Sequence, residues 1–170
     1  MRFDRAGSIC LATLLLAACA KGEVYDRPPD QVRDLLRTVE MPLYVFGSSA
    51  DTDAIIDSSD PARIVWKIKA NGSNVMRVIA TVAPEGEAKS RVNVEIEGSH
   101  EGKFGNVEDR LKTLPGVKNL YLVTMREAID STLDGRRFDI TVTYPAMMSA
   151  TMANANRLFP KVDTRTSDRR

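Results

Sequence analysis

Cysteine is almost missing from this chain. Of 170 residues only Cys10 and Cys19 are cysteines, and both lie at the extreme N-terminus. The body that follows can form no disulfide of its own and no thiolate-based zinc or iron–sulfur site. Histidine occurs once, at His100, which rules out a site built from several imidazoles. Tryptophan also occurs once, at Trp66. No apolar run approaches the roughly 20 residues that a membrane-spanning helix requires. Neither sign of charge dominates, with 24 Lys and Arg against 23 Asp and Glu. A nucleic-acid partner is therefore not expected, since that function needs a basic footprint. The chain has no internal repeat, phosphate-binding loop, dinucleotide fingerprint or nucleophile elbow, and no cofactor or metal is expected.

What is present begins at the N-terminus. Arg2 and Arg5 precede an apolar stretch over residues 9–18, broken only by Thr13 and ending in small residues. A positive start, a short apolar middle and a small-residue end have the form of an export signal. The segment closes on Leu16-Ala17-Ala18-Cys19, which resembles the lipobox of bacterial lipoproteins at all four positions. The resemblance implies removal of residues 1–18, with Cys10 among them, and lipid attachment at Cys19. The plainer alternative is an ordinary secreted chain with a free cysteine. Ala20, where some lipoproteins carry an inner-membrane retention Asp, implies a periplasmic face at the outer membrane in preference to the inner. Several acyl chains on one cysteine hold a protein durably at a bilayer, where a single chain does not.

Cleavage leaves 152 residues, enough for one domain with a real core. Arg2, Arg5 and Asp4 leave with the signal, so 22 basic residues face 22 acidic ones and the net charge is zero. We expect a single α+β domain over residues 19–160 and a disordered tail over 161–170, where apolar residues are scarce.

Residues 21–26 read either as a short strand or as a tether. Pro28-Pro29-Asp30 opens a helix whose apolar face is Val32, Leu35, Leu36 and Val39; Pro42 stops it. Residues 47–61 form a Ser- and Asp-rich connection interrupted by Ala54-Ile55-Ile56. The period then shortens to two. Ile64, Trp66 and Ile68 alternate with Val65, Lys67 and Lys69, Asn71-Gly72 marks a two-residue hairpin, and Met76, Val78, Ala80 and Val82 line the return. Val92, Val94 and Ile96 give a third strand, so an antiparallel meander is expected with one face buried. Helices follow over residues 106–114 and 117–133, the second ended by Gly135. The alternation of Phe138, Ile140, Val142 and Tyr144 reads as a further strand. Residues 146–159 suggest a last helix that packs through Met148, Met152, Ala155 and Phe159.

Helix, meander and long covering helix, opened by Tyr25-Asp26-Arg27-Pro28 and carried through Ile64-Val65-Trp66-Lys67-Ile68 and Ser90-Arg91-Val92-Asn93-Val94, resemble the START-type helix-grip (SRPBCC) superfamily. The likeness covers about residues 24–135. The opening element is also similar to small lipoproteins of proteobacteria. The chain departs from the superfamily in having three meander strands where the family has more, and in the strand-like and helical segments after the long helix. The resemblance implies an antiparallel sheet gripping a long helix over an apolar cavity. In this family such a cavity holds lipids, sterols or other greasy ligands, and in a few members it supports cyclisation or hydrolysis. It makes Trp66, Tyr121 and Met125 candidate wall residues, although residues of these types on apolar faces equally serve as plain core.

Three functional expectations follow. One is a lipid-anchored envelope module that binds an apolar small molecule or lipid without catalysis. The second is an envelope interaction protein with no ligand cavity, its Met147, Met148 and Met152 facing a partner. The third is a helix-grip hydrolase or cyclase, for which His100, Arg77 and Glu95 are the candidate ionisable groups. His100 lies between Gly98-Ser99 and Glu101-Gly102, a setting more typical of an exposed loop.

Overall fold

A computed structural model describes residues 22–46, 51–100 and 104–155. Cys19, Phe159, residues 1–18 and residues 161–170 lie outside the described residues. Five antiparallel strands form one sheet in the order β1-β5-β4-β3-β2: β1 (Glu23–Tyr25), β2 (Thr52–Asp57), β3 (Arg63–Ala70), β4 (Ser73–Pro84) and β5 (Ser90–Gly98). The helices are α1 (Pro29–Leu36), α2 (Val107–Thr113), α3 (Pro115–Asp134) and α4 (Tyr144–Ala153). The architecture is α+β, as the sequence implies. After β1 the chain passes through α1 to the far edge of the sheet. It then returns strand by strand until β5 pairs with β1, setting Glu23 opposite Val92 and Tyr25 opposite Ser90.

Local chemistry sets each turn. Asn71 and Gly72 both have positive φ, at 47° and 74°, as a two-residue hairpin of type I′ requires. The two residues join Ala70 to Ser73 across the β3–β4 pair. The side chain of Asn106 caps α2 by accepting the Asp109 N–H at 2.9 Å. At the end of α3, Gly135 adopts the left-handed region at φ 67°, and the N–H groups of Gly135 and Arg136 donate back to the Thr132 and Ser131 carbonyls. This is a Schellman termination.

Alternation along the strands divides the sheet into two faces. Ile64, Trp66, Ile68, Met76, Val78, Ala80, Val82, Val92, Val94 and Ile96 are buried beneath α1 and α3. Their helical partners include Val32, Leu36, Met125, Ala128, Ile129 and Leu133. The opposite face carries Lys67, Arg77, Glu95 and Glu97. Its ion pairs include Arg77–Glu97 and Lys67–Asp57, the latter at 2.7 Å. At the sheet's end Gly98 lets α2 approach closely, since a Cβ there would lie 2.4 Å from the backbone nitrogen of Glu108.

Three expectations are corrected. The connection over residues 47–61 contains a real edge strand, β2, built on the Ala54-Ile55-Ile56 run. Residues 137–144 are not a strand: the segment runs into a 3-10 turn (Ile140–Thr143) and then directly into α4. Glu127, buried inside α3, explains that change. It pairs with Arg136 through both carboxylate oxygens and accepts the Asp139 N–H at 2.8 Å, which folds the chain back along α3 and away from either sheet edge. Asp139 then caps the turn by accepting from the Thr141 N–H and hydroxyl. Pro145 begins a helix where strand pairing would need an N–H. The third correction concerns the packing face of α4. Ala146 and Ala150 are buried, whereas Met148 and Met152 are exposed.

Candidate functional site

The apolar layer between the inner face of the sheet and α3 contains the residues that the family resemblance singles out. Trp66, at the centre of β3, stands opposite Val78 on β4 and Ile56 on β2. Its side chain is 0% exposed. Met125 enters the same cluster from α3 and is also fully enclosed. Tyr121, one turn earlier on α3, is half-buried; its ring stands 4.9 Å from that of Phe46, tilted by 43°. Burial raises the Tyr121 phenol above the ordinary tyrosine value.

Two features distinguish this layer from ordinary core. The first is the indole N–H of Trp66, which is buried and has no hydrogen-bond partner among the described residues. A donor shut away from water without an acceptor costs roughly 1–3 kcal/mol, and buried indole groups usually have one. The second is the incomplete cover at the β2 edge. Ile56 faces inward by register with Trp66 and yet is 42% exposed. Ile56 thus leaves the margin of the layer exposed to solvent at the sheet edge, while Trp66 behind it stays enclosed. Neither Phe46 nor Ile56 was among the sequence candidates, though both lay in short apolar runs bounded by turn residues.

The surface grooves have other linings. One of about 300 Å³ on the solvent side of the sheet is bordered by Arg77, Lys67, Ser99 and His100. A second, of about 450 Å³, runs between β5 and α3 and includes Glu95, Glu108, Lys118 and Arg126. His100, Arg77 and Glu95 are therefore exposed and divided between two grooves. An interior reaction chamber needs ionisable groups within the layer, and these three do not enter it. Among the described residues no three His, Cys, Asp or Glu side chains converge as metal ligands, and no helix is long and apolar enough to cross a membrane.

A polar cluster lies where β1 crosses α3. The Tyr25 hydroxyl donates to Asp130, with Glu23 also within 3.3 Å of that oxygen. Burial is the main reason the Asp130 carboxyl rises to about 6, with nearby Glu23 adding to the rise and the Tyr25 hydrogen bond opposing it. Glu127, one turn back, moves the other way, because Arg136 holds it ionised. The cluster fastens the first strand to the long helix. Ser90, fully buried, adds a second fastening by donating to the Arg27 carbonyl at 2.7 Å.

Comparison with known proteins finds no match: no family model fits the chain, no curated protein matches it, and no solved structure does.

Proposed function

We propose that this is a lipid-anchored envelope protein, held at Cys19 on the periplasmic face of the outer membrane, that binds an apolar small molecule or lipid between its sheet and α3 without catalysing a reaction. The observation that carries the reading is the orphan indole N–H of Trp66 in an apolar layer whose edge residue on β2, Ile56, is left exposed. A ligand with an apolar body and one acceptor oxygen suits such a place: the body covers Ile56 and its neighbours, and the oxygen satisfies the indole. Fatty acids and other lipids have that chemistry. The strand order β1-β5-β4-β3-β2, with α1 bridging the two edges and a 20-residue helix laid over the apolar face, supports the helix-grip resemblance.

The test is to purify the protein from envelopes in mild detergent and extract it for lipid analysis beside a Trp66→Phe variant. The reading expects an apolar molecule in stoichiometric amount from the parent and several-fold less from the variant. Equal recovery of bulk phospholipid alone from both would overturn it.

A further inference from the structure

Strand β5 is flanked on both sides for only part of its length. On one side β1 supplies three partners, ending with Glu23 opposite Val92, and Gly22 then leaves the strand conformation at φ 133°. From Asn93 to Glu97 the outer edge of β5 has no strand partner among the described residues, while β4 pairs all along the inner edge. Two hydrogen bonds at the strand's end fix which backbone groups face outward. The Ser99 N–H donates to the Val75 carbonyl at 2.9 Å, toward β4, and the Gly98 N–H donates away from β4, to Glu108 Oε2 at 2.7 Å. Alternation along the strand then turns the N–H and C=O groups of Ile96 and Val94 outward. Those outward groups have no hydrogen-bond partner among the described residues. Ile96 and Val94 are only 2% and 7% exposed, and backbone groups so enclosed are nearly always paired.

Both residues line the groove of about 450 Å³ between β5 and α3. The facing wall is one stripe of α3, Lys118, Leu122 and Arg126, spaced i, i+4, i+8. Lys118 stands at the Gly98 end: the Glu108 carboxyl, held below its ordinary value first by the Gly98 N–H, is lowered further by Lys118. Toward the other end Asp130 meets Tyr25, whose strand partner is Ser90. Helix α3 therefore runs beside β5 in the opposite direction. Four residues of a helix advance about 6 Å and two residues of a strand about 6.7 Å, so the stripe keeps step with alternate residues of an extended chain laid along β5. Neither Lys118 nor Arg126 forms an ion pair among the described residues; Glu108 pairs with Lys112.

We infer that the outer edge of β5 accepts an extended segment of a partner protein as a further strand, with acidic side chains against Lys118 and Arg126 and an apolar one on Leu122. Hydrogen bonds to the main chain of Val94 and Ile96 hold the segment, and its alternate side chains select it. The segment's other face lies beside Glu95 and Glu97, so basic or hydroxyl residues suit the intervening positions. A second copy of this chain fits less well. Laid antiparallel with Val94 opposite Ile96, a second β5 would set Glu95 against its own copy, and like charges directly opposed destabilise a strand pair. The inference stands apart from the apolar ligand and from the tether.

The probe is a fluorescein-labelled peptide, Thr-Glu-Lys-Val-Lys-Glu-Thr, titrated into the full chain in mild detergent and followed by fluorescence anisotropy. The inference expects saturable binding, with amide exchange slowed at Val94 and Ile96. N-methylation of the peptide's central valine blocks one strand hydrogen bond and leaves every charge in place. It is expected to weaken binding about tenfold, the loss of roughly one hydrogen bond. The protein variant Lys118→Glu/Arg126→Glu is expected to weaken it at least as much, with circular dichroism and melting unchanged. Absence of binding by the parent peptide would overturn the inference. Equal binding of the N-methylated peptide would overturn it as well, since charge alone would then hold the segment. A concentration-dependent dimer of the chain, with slowed exchange at Val94 and Ile96 and no peptide binding, would assign the edge to a second copy and overturn it too.

Discussion

Two stretches of this chain carry the same apolar alternation and end in opposite structures. Ile64, Trp66 and Ile68 alternate with Val65, Lys67 and Lys69, and the run forms the central strand β3 with its apolar set buried. Phe138, Ile140, Val142 and Tyr144 alternate just as regularly with polar residues, and the run becomes a 3-10 turn and a helix start with Val142 and Tyr144 exposed. Period two alone does not make a strand; an available partner edge does. Residues 63–70 meet β4 through Asn71-Gly72 and β2 on the other side. Residues 138–144 follow a buried carboxylate that binds the chain to the back of α3. Burial follows the same division: the first region encloses its apolar groups, whereas the second packs Phe138 against the core and leaves Val142 and Tyr144 outside.

Replacing the centre of the first region has the largest expected effect. Trp66→Ala empties the middle of the core and is expected to lower stability by about 3–5 kcal/mol, read from urea denaturation. A loss below about 1 kcal/mol would mean that the indole does not occupy the interior. Next comes the clamp that decides the second region. Glu127 is 3% exposed, and Glu127→Gln removes the buried charge that Arg136 grips, leaving Arg136 only the exposed carboxylate of Asp134 at 3.5 Å. We expect a cost of about 2–3 kcal/mol with hydrogen exchange accelerating first in residues 137–153. Uniform acceleration over the whole chain would contradict the local role given to this pair.

The third perturbation acts on the seam between the regions. Gly116→Leu sets side-chain atoms against the Ala150 backbone and is expected to cost about 1–3 kcal/mol, with α4 released to limited proteolysis while the sheet stays protected. By contrast Met152→Ser, on the exposed face of the same helix, is expected to change stability by less than about 0.5 kcal/mol. A large loss there would mean that α4 packs through its methionines after all.

The smallest effect concerns pH. The Asp130 carboxyl sits at about 6 in the folded chain, above its unfolded value of 3.8. A raised acid favours folding most fully below the unfolded value, and its contribution is lost as pH rises through about 6. Glu127, Glu108 and Glu85 are lowered, so their contributions hold above the ordinary carboxylate range and fade only in stronger acid. Between about pH 4 and 6, therefore, stability is expected to fall as pH rises, and Asp130→Asn to flatten that slope. An unchanged slope in the variant would assign it to another group.

Much of the first region was legible in the residues. The proline start of α1, the Asn71-Gly72 turn, the three long strands and the glycine end of α3 each depend on chemistry within a few positions. The edge strands were harder to read, because β1 is three residues long and β2 has exposed residues on both faces, so neither gives a clean period. The fate of residues 137–144 depended on Glu127, about a dozen positions away and ordinary in sequence. For the site, the residues Trp66, Tyr121 and Met125 were identifiable as an apolar set. That the Trp66 N–H lacks an acceptor, and that Ile56 stays exposed at the sheet edge, depends on strand pairing that no local pattern contains.

The most direct measurement uses the fact that Trp66 is the chain's single tryptophan, so its fluorescence reports on the layer alone. Detergent-free, delipidated protein is titrated with long-chain fatty acids and with phospholipid. The account predicts a saturable change in Trp66 emission, abolished by Ile56→Asp at the exposed edge while the fold is retained. Emission that stays constant through both titrations would contradict the claim that this layer receives an apolar ligand.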